Sequence, residues 1–310
     1  MKIAVVMDPI SNIDFKKDST LLLIYEAQKR NHDVFYIESN NLFFDGKDAC
    51  ALSSKIKVKM DPKGWFSLDD ENRIFLKDLD VIFMRQDPPF DMGYINNTYV
   101  LDSAENDGVR IYNKPSSLRN FNEKISILEY LEFCTETIIT SDKNLILNFI
   151  EKHKDVVAKP LNLMGGQGIE KLNFNQNDLT EKLKKVTKDF KEKIMVQKFI
   201  ERVYEGDKRI LVINGRPSEY AVVRTPAKGE FKGNLAAGGI ASIEKLNKIE
   251  LNIASEIAPK LKERGILIAG LDIVGDFLTE INITCPTCFR ELLDQKGINL
   301  MEEVFDFVES

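Results

Sequence analysis

The chain has 310 residues, of which 43% are hydrophobic and 30% are charged, so it is long enough to bury a large core and to divide into two or three domains. Its net charge of −6 disfavours a broad nucleic-acid surface, and no apolar run approaches the roughly 20 residues of a membrane span. The opening apolar run, 3–7, is too short for the core of a signal peptide, which predicts a cytoplasmic protein.

Residues 1–120 alternate between strand and helix patterns, which predicts a βαβ domain with an open parallel sheet. A Rossmann cofactor site is not expected, because the glycine fingerprint of dinucleotide binding is missing after the first strand. The predicted elements are strand 2–7, helix 19–31, strand 33–37, strand 80–85, helix 96–107 and strand 109–112.

The pattern changes near residue 115, and shorter elements follow without an internal repeat or a low-complexity linker. Lys124 lies at the start of the first of these helices. The predicted elements are helix 122–133, strand 136–140, helix 143–153, strands 155–160 and 169–174, helix 179–189, strands 194–200, 208–213 and 219–224, and helix 247–264.

Lys159 ends an apolar strand, and a turn that contains Gly165, Gly166 and Gly168 follows it. Glycines let the backbone bend tightly enough for successive N–H groups to face an anion. The turn is not a P-loop, because it lacks Gly-Lys-Ser/Thr and leads into a strand. A plain hairpin loop is the alternative, and the lysine beside the turn favours a phosphate site.

Three arginines and a glycine-rich segment mark a second candidate region. Arg209 enters a buried strand, where an arginine needs an anionic partner or substrate. Arg224 ends the next strand, and Arg85 ends a parallel strand, at the edge where open α/β sheets bind ligands. Residues 225–240 are rich in glycine and lack an apolar period, which predicts a mobile lid. A disordered surface loop is the alternative.

The stretch 271–283 carries Asp272, Glu280 and Asn282 among apolar residues, where a half-buried strand normally avoids such side chains. Glu280 and Asn282 are two residues apart, so they point from one face of their strand. Three oxygen donors on one face suit Mg²⁺ that is bound together with substrate phosphates. A sheet edge protected by inward charges is the alternative.

The turn of this hairpin decides which residue lies opposite Asp272. A two-residue turn at Gly275-Asp276 would set Asp272 opposite Thr279, on the wrong face. We therefore predict a three-residue connection over 275–277, which sets Asp272 opposite Glu280.

The cysteine pair Cys285 and Cys288 has C-x-x-C spacing, which occurs in redox and zinc sites. No second C-x-x-C is present, His32 and His153 are distant in sequence, and no thioredoxin-like pattern surrounds the pair. We interpret the segment as a loop that holds two thiols.

The order of these elements resembles the ATP-grasp superfamily of carboxylate–amine ligases and, more narrowly, the bacterial glutathione synthetase family. The similarity runs from residue 1 to about residue 300. The segments that carry it are Val6-Met7-Asp8-Pro9-Ile10, Met84-Arg85-Gln86-Asp87-Pro88-Pro89-Phe90-Asp91, Gly233-Asn234-Leu235-Ala236-Ala237-Gly238-Gly239, Thr279-Glu280-Ile281-Asn282-Ile283, Pro286-Thr287-Cys288 and Arg290-Glu291.

The resemblance implies an α/β chain of the α+β ATP-grasp type. An N-terminal parallel-sheet βαβ domain would occupy 1–121. The ATP-grasp domain would follow in two parts, a small subdomain at 122–190 and a large subdomain at 191–310 with the lid loop 225–240.

The resemblance also implies residue roles. ATP would be bound by Lys124, Lys159, Gly165, Gly166, Gln197, Lys198, Phe199 and Asp207. Mg²⁺, with Mn²⁺ as the alternative, would be bound by Asp272, Glu280 and Asn282. The peptide substrate would be bound by Arg85, Arg209, Arg224, Asn234 and Cys288, and the catalytic residues would be Lys159, Arg209 and Arg224.

The implied reaction joins glycine to γ-L-glutamyl-L-cysteine at the expense of ATP, through an acyl phosphate. The implied partners are these small molecules, without nucleic acid or membrane, in a homo-oligomer that is tetrameric in relatives. Three positions depart from the family pattern: Lys232 and Ile240 stand where relatives often have arginine, and Cys285 where they often have Ser or Thr.

Two other functions are compatible with the residues. The first is a ligase of the same fold that joins a different amino acid or peptide. The second is a non-catalytic nucleotide-binding regulator, which would hardly require the complete set Asp272, Glu280 and Asn282.

Overall fold

The computed structural model describes residues 1–233 and 239–310, and its strands form three sheets. The first sheet is formed by the N-terminal part of the chain. Its strands are β1 Lys2–Met7, β2 Asp33–Glu38, β3 Leu42–Asp45, β4 Asp48–Val58, β5 Phe66–Leu68, β6 Asn72–Phe75, β7 Val81–Met84 and β8 Arg110–Tyr112. The helices beside it are α1 Ser19–Lys29, α2 Met92–Asn106 and α3 Pro115–Asn120.

The centre of this sheet is parallel, as predicted, in the order β2-β1-β7-β8. Strands β1 and β7 are almost entirely buried, which is typical of parallel strands covered on both faces. Residues 42–75, for which the sequence predicts no element, extend the sheet. Strand β4 runs antiparallel to β2 and pairs with β3, β5 and β6. The sheet is therefore mixed, and the prediction of an open parallel sheet is correct only for its centre.

The second sheet is antiparallel and has the order β11-β10-β12-β9. Helices α4 Lys143–His153 and α5 Leu179–Val186 bury their apolar residues against it. Its strands are β9 Thr137–Thr140, β10 Asp155–Pro160, β11 Glu170–Asn173 and β12 Ile194–Lys198.

The segment that leads into this sheet is not the α-helix predicted over 122–133. It forms a 3₁₀ helix over Ile125–Phe133, which is interrupted at Tyr130 by a non-helical backbone. The apolar spacing of the sequence does not distinguish the two helix types, because a short 3₁₀ helix also places residues three apart on one side. Lys124 immediately precedes this helix.

The third sheet is antiparallel and has the order β15-β14-β13-β16-β17. Its strands are β13 Asp207–Ile213, β14 Arg216–Thr225, β15 Ile240–Lys245, β16 Ile268–Val274 and β17 Phe277–Asn282. The accompanying helices are α6 Lys248–Glu263, α7 Phe289–Lys296 and α8 Leu300–Glu309. Helix α6 begins with a capping box between Asn247 and Glu250, a common helix-start signal. Strand β15 and helices α7 and α8 were not predicted.

The hairpin β16–β17 has the predicted pairing but not the predicted turn. Asp272 lies opposite Glu280, whereas Ile273 lies opposite Leu278. The connection is therefore the two-residue turn Gly275-Asp276, and Thr279 is the extra residue of a β-bulge. The prediction of a three-residue connection is wrong. The bulge supplies the one-residue shift that the prediction placed in the turn.

The predicted division at 1–121, 122–190 and 191–310 stays a prediction. Strand β12, which the boundary at 190 would assign to the large subdomain, pairs with β9 and β10 of the second sheet. Among the described residues, the helices are too short or too polar to cross a lipid bilayer.

Candidate active site

A cleft that is open to solvent lies between the second and third sheets. All eight residues predicted to bind nucleotide line it: Lys124, Lys159, Gly165, Gly166, Gln197, Lys198, Phe199 and Asp207. The three predicted metal ligands, Asp272, Glu280 and Asn282, line the same cleft together with Arg209. The fold thus brings together residues that are up to 158 positions apart, from Lys124 to Asn282.

The glycine turn between β10 and β11 forms one wall of the cleft. Gly165 and Gly166 have φ values of 62° and 75°, a region that side chains other than glycine rarely adopt. Gly168 has φ 67°, and a Cβ atom there would lie 2.9 Å from Pro160 Cγ. The turn leads into a strand, as predicted, and not into a helix. Its backbone conformation therefore depends on the positive φ values that glycine permits.

The two lysines reach the cleft from different elements. Lys159 ends β10, and its Nζ donates to Gln197 Oε1 at 2.6 Å. Gln197 is held in turn, since its Nε2 donates to Thr137 Oγ1 at 3.0 Å. Burial lowers the pKa of Lys159, because its amine has lost water and its hydrogen-bond partner among the described residues, Gln197, is a neutral amide. A phosphate at this position would restore the lost stabilisation of the charge.

Lys124 has an anionic partner. Its Nζ donates to Leu163 O at 2.7 Å and lies 2.8 Å from Glu280 Oε1. Burial alone would lower the pKa of Lys124, but the Glu280 carboxylate outweighs it and the pKa is raised. This contact joins the hairpin β16–β17 to the glycine turn, because Leu163 directly precedes that turn.

The hairpin carboxylate Asp272 is held by two arginines. Arg209 donates to it with both Nε and Nη2, and Arg224 Nη2 lies 3.0 Å from its Oδ2. Arg224 Nη2 also donates to Asp207 Oδ2 at 2.6 Å. Although burial opposes ionisation, the two guanidinium groups hold the pKa of Asp272 well below its usual range. We refer to Asp207, Arg209, Arg224 and Asp272 as the charge network.

Asp207 is the less satisfied acid of the charge network. Burial raises its pKa to about 6, although Arg224 acts against the increase. Its Oδ1 is buried and has no hydrogen-bond partner among the described residues. An unpaired buried acceptor at the wall of a cleft is available to a ligand hydroxyl.

The residues at the hairpin fit a divalent cation. Asp272 and Glu280 supply carboxylate oxygens from opposite positions of the two strands, and Asn282 Nδ2 lies 3.2 Å from Asp272 Oδ2. Turning the Asn282 amide would present its oxygen in place of its nitrogen. No group of three or more His, Cys, Asp or Glu side chains within 1–233 and 239–310 is arranged to hold a metal by itself. The donor set therefore suits a hard cation that completes its shell with phosphate and water oxygens.

Apolar residues form the end of the cleft near Phe199. The ring of Phe199 contacts that of Phe231 with centroids 6.3 Å apart, and Lys171 Nζ lies 3.7 Å from the centre of the Phe199 ring. No sequence motif marked the other apolar lining residues, which are Val157, Leu163, Met164, Ile169, Ile200, Val203, Phe231 and Val274. One signal was present, because Val157 is two residues before Lys159 on the same strand and shares its face.

Glu123 was also missed. Its buried Oε1 accepts hydrogen bonds from Ile283 N at 2.7 Å, Thr284 N at 2.9 Å and Thr284 Oγ1 at 2.8 Å. It thereby ties the segment before Lys124 to the end of β17. The only signal in the sequence was its position next to Lys124.

Three predicted substrate residues lie outside the cleft lining. Arg85 is buried at the end of β7, and Arg224 lies behind Asp207 and Asp272. Cys288 is 2% exposed, and burial raises the pKa of its thiol. Asn234 falls outside the described residues.

The described ends of the predicted lid, 225–233 and 239–240, are anchored on the third sheet. Thr225 pairs with Ile240 at the end of the β14–β15 ladder. Lys232 and Gly233 line the cleft, whereas Ile240 is 71% exposed. Two of the three departures from the family pattern therefore differ in position: Lys232 faces the cleft, and Ile240 faces solvent.

The fold has counterparts among solved structures. It matches a D-cycloserine synthetase with a TM-score of 0.68 at 10% identity, covering 99% of this chain and 100% of that one. It matches a D-alanyl-alanine synthetase A from Vibrio cholerae with a TM-score of 0.63 at 13% identity, covering 100% and 97%. These matches show a shared fold, and a family model of an ATP-grasp domain that matches residues 123–297 confirms the predicted fold class.

A model of the N-terminal domain of prokaryotic glutathione synthetase matches residues 1–119, and a model of the ATP-grasp domain of that family matches residues 123–297. The chain is 42% identical to the glutathione synthetase of Vibrio parahaemolyticus over 309 residues, covering 100% of this chain and 98% of the relative. It is 43% identical to that of Pseudomonas putida over 292 residues, covering 94% and 92%.

The chain belongs to the prokaryotic glutathione synthetase family. It is an ATP-dependent ligase of glutathione biosynthesis that acts on small molecules and uses a divalent metal. This confirms the resemblance and the enzyme class that the sequence motifs predict.

Proposed function

We propose that the cleft joins glycine to the C-terminal carboxylate of γ-L-glutamyl-L-cysteine through an acyl phosphate, giving glutathione, ADP and phosphate. The observation that carries this proposal is the placement of Lys124, Lys159, Arg209 and the Asp272–Glu280 pair around one cleft, with Arg224 behind Asp272. That arrangement suits a reaction in which a triphosphate and a carboxylate, both anionic, must be brought into contact.

A carboxylate is a poor electrophile, because its negative charge repels an attacking amine. Transfer of the ATP γ-phosphate to it gives a mixed anhydride with phosphate as a good leaving group. The amine of glycine then attacks the acyl carbon, and the tetrahedral intermediate expels phosphate. This chemistry depends on how the enzyme positions the substrates and stabilises their negative charge, and it requires no covalent nucleophile from the enzyme.

In this proposal Lys124 and Lys159 bind the ATP phosphates beside the N–H groups of Gly165 and Gly166. Gln197, Lys198 and Phe199 bind the adenine ring, and the free Oδ1 of Asp207 accepts a ribose hydroxyl. Lys159 has the strongest electrostatic reason to bind a phosphate, since its pKa is lowered by burial.

Arg209 and Arg224 orient the reacting carboxylate and stabilise the charge of the acyl phosphate, with Arg85, Asn234 and Cys288 contributing to the peptide site. Arg209 lines the cleft directly, whereas Arg224 acts from behind Asp207 and Asp272. The loop 225–240 would exclude water, which competes with glycine for the acyl carbon.

Mg²⁺, with Mn²⁺ as a substitute, is the proposed cation of Asp272, Glu280 and Asn282. When bound, it offsets negative charge on the phosphoryl oxygens. Contact with Lys124 keeps the Glu280 carboxylate oriented, and Arg209 keeps the Asp272 carboxylate oriented. The proposal also includes a cytoplasmic location, a homo-oligomer that is tetrameric as in relatives, and no nucleic-acid or membrane partner.

A coupled ADP-release assay across carboxylate and amine pairs tests the reaction. We expect release with γ-glutamylcysteine plus glycine in the presence of Mg²⁺, and little with glutamate or D-alanine in their places. EDTA should abolish it, and Mg²⁺ should restore it. Efficient release with another pair, or without any divalent cation, would contradict the proposal.

Two substitutions test the assignment of residues. Lys159→Ala and Glu280→Ala should each lower turnover by roughly two orders of magnitude or more, because each removes a charge that opposes the phosphoryl charge. Lys171→Ala is the matched control for the lysine, since Lys171 contacts Phe199 but does not line the cleft. Near-normal rates in both variants, with unfolding curves unchanged, would refute the assignment.

A further inference from the structure

The outer edge of strand β17 is held by a single residue from a distant segment. Because β17 is the last strand in the order β15-β14-β13-β16-β17, one side of its backbone has no neighbouring strand among the described residues. Two N–H groups on that side, two residues apart, meet Glu123 instead. Ile281 N donates to Glu123 O at 2.9 Å, and Ile283 N donates to Glu123 Oε1 at 2.7 Å. Glu123 therefore takes the place of a neighbouring strand, which would otherwise satisfy these edge groups.

Thr284 strengthens this contact. Both its N and its Oγ1 donate to the same Glu123 Oε1, at 2.9 Å and 2.8 Å, and Thr284 is buried. One carboxylate oxygen thus accepts three hydrogen bonds from the end of β17. Hydrogen bonds to an ionised acceptor are stronger than those between neutral groups, so they fix the backbone at this point.

Asn282 lies between the residues that Glu123 holds, and its own side chain is held less firmly. Its Nδ2 lies 3.4 Å from Gly270 O and 3.2 Å from Asp272 Oδ2. Both distances are at or beyond the long end of the usual range for an N–H···O hydrogen bond. The place of the Asn282 amide therefore depends on where the backbone of β17 lies, and Glu123 holds that backbone on both sides of Asn282.

Lys124, the next residue in the chain, extends the contact to Glu280. Its Nζ lies 2.8 Å from Glu280 Oε1. Residues 123–124 therefore contact the strand beside both of its proposed cation donors, Glu280 and Asn282. Since Lys124 is itself a proposed phosphate ligand, this short segment links the cation donors of β17 to the phosphate site.

We infer that Glu123 is a positioning residue for the divalent cation. It holds Glu280 and Asn282 at a fixed distance from Lys124, so that cation and phosphate oxygens fit together. It does so as a hydrogen-bond acceptor and not through its charge, because its partners on the strand are uncharged N–H and O–H groups. Residues that orient metal ligands in this way typically change metal affinity by about tenfold to a hundredfold. This inference rests on the proposed function.

Calorimetric titration of ADP, in the presence of either Mn²⁺ or EDTA, separates cation binding from nucleotide binding. For Glu123→Ala we expect the affinity for ADP to fall about tenfold or more with Mn²⁺ and less than about twofold with EDTA. The reason is that Lys159 and Gln197, which would bind the nucleotide itself, lie on β10 and β12 and not on β17. Glu123→Gln should keep the affinity with Mn²⁺ within about threefold of the unsubstituted enzyme, because its amide oxygen accepts the same hydrogen bonds.

Thr284→Val is the second variant, since it removes the hydroxyl donor and keeps the backbone N–H donors. It should weaken ADP binding about threefold with Mn²⁺ and leave binding with EDTA unchanged. Glu132→Ala is the matched control, because Glu132 is an exposed carboxylate on the 3₁₀ helix that follows Lys124. Both affinities should stay unchanged in that variant.

Equal falls with Mn²⁺ and with EDTA, or a Glu123→Gln variant as weak as Glu123→Ala, would overturn the inference. If Glu123→Ala does not fold, Thr284→Val decides, and an unchanged affinity with Mn²⁺ would overturn it. Glu280→Ala separates this outcome from failure of the proposed cation site. If Glu280→Ala loses no Mn²⁺-dependent affinity, the proposed site is wrong and the inference fails with it; if Glu280→Ala loses it and Glu123→Ala does not, only the inference fails.

Discussion

Two regions differ in how buried carboxylates are compensated: the charge network around Asp272, and the group of Asp8, Asp18 and Asp87, which we call the acidic group. In the charge network each buried acid has a guanidinium partner, with Asp272 shared by Arg209 and Arg224. In the acidic group, Asp8, Asp18 and Asp87 have no ion-pair partner among the described residues, although Arg85 and Arg290 are close enough to act on Asp18. The pKa of Asp272, which has two guanidinium partners, is lowered, whereas burial raises to about 6 the pKa of Asp207, which has one such partner, and that of Asp87, which has none among the described residues.

The difference separates two uses of charge. Paired charges keep a site oriented before substrate arrives, because removal of either partner leaves the other buried and uncompensated. Unpaired charges are a cost to the free enzyme, and a ligand of opposite charge can remove that cost by binding. Substitutions in the two regions should therefore change stability in opposite directions.

The largest effect is expected for Asp272→Ala. It leaves Arg209 without its bidentate partner and Arg224 with Asp207 alone. The free energy of unfolding should fall by about 3–5 kcal/mol, the cost of breaking a buried ion pair from one side. Urea unfolding followed by circular dichroism measures it. A loss below about 1 kcal/mol would mean that the pairs contribute little, and the contrast between the two regions would fail.

Gly270→Ala should have an intermediate effect. A Cβ atom at Gly270 would lie 2.6 Å from Arg209 Cδ and 3.0 Å from its Nε, so Arg209 must move away from Asp272. We expect a loss of about 1–3 kcal/mol in unfolding free energy, as for overpacking, and a lower kcat. Gly46→Ala serves as the control: that site has φ 62° but no atom within 4 Å of the new Cβ, so it reports backbone strain alone. Equal losses of kcat in both variants would rule out displacement of Arg209.

The smallest effect, of opposite sign, is expected for Asp87→Asn. The folded pKa of Asp87, about 6, exceeds its ordinary value of 3.8, so the ionised carboxylate destabilises the fold. The substitution should stabilise the substrate-free enzyme by about 1 kcal/mol near pH 7. The gain should shrink as the pH falls through 6 and vanish below about 4, where both states are protonated. Thermal unfolding across this range measures it, and a destabilised variant at pH 7 would show that Asp87 has an ion-pair role.

The hairpin β16–β17 illustrates how far the sequence could predict the candidate site. The spacing of Glu280 and Asn282 fixed their common face, because side chains alternate along any strand. The pairing of Asp272 with Glu280 was also correct, but the bulge at Thr279 was not foreseen, since nothing in the local pattern distinguishes an extra residue in the strand from one in the turn. In the same way, the glycines at 165, 166 and 168 predicted a tight turn through their backbone freedom.

What the sequence determined by itself is local: strand faces, glycine turns, helix caps, and motifs specific enough to indicate the family. The tertiary structure alone decided which charges meet. Lys124 and Glu280 are 156 residues apart, and Arg209 and Asp272 63 apart, yet each pair is in contact. Ion pairs depend on distance in space, and three sheets must pack before those distances exist. For the same reason the sequence could not reveal that the hydroxyl of Tyr94 is buried without a hydrogen-bond partner among the described residues.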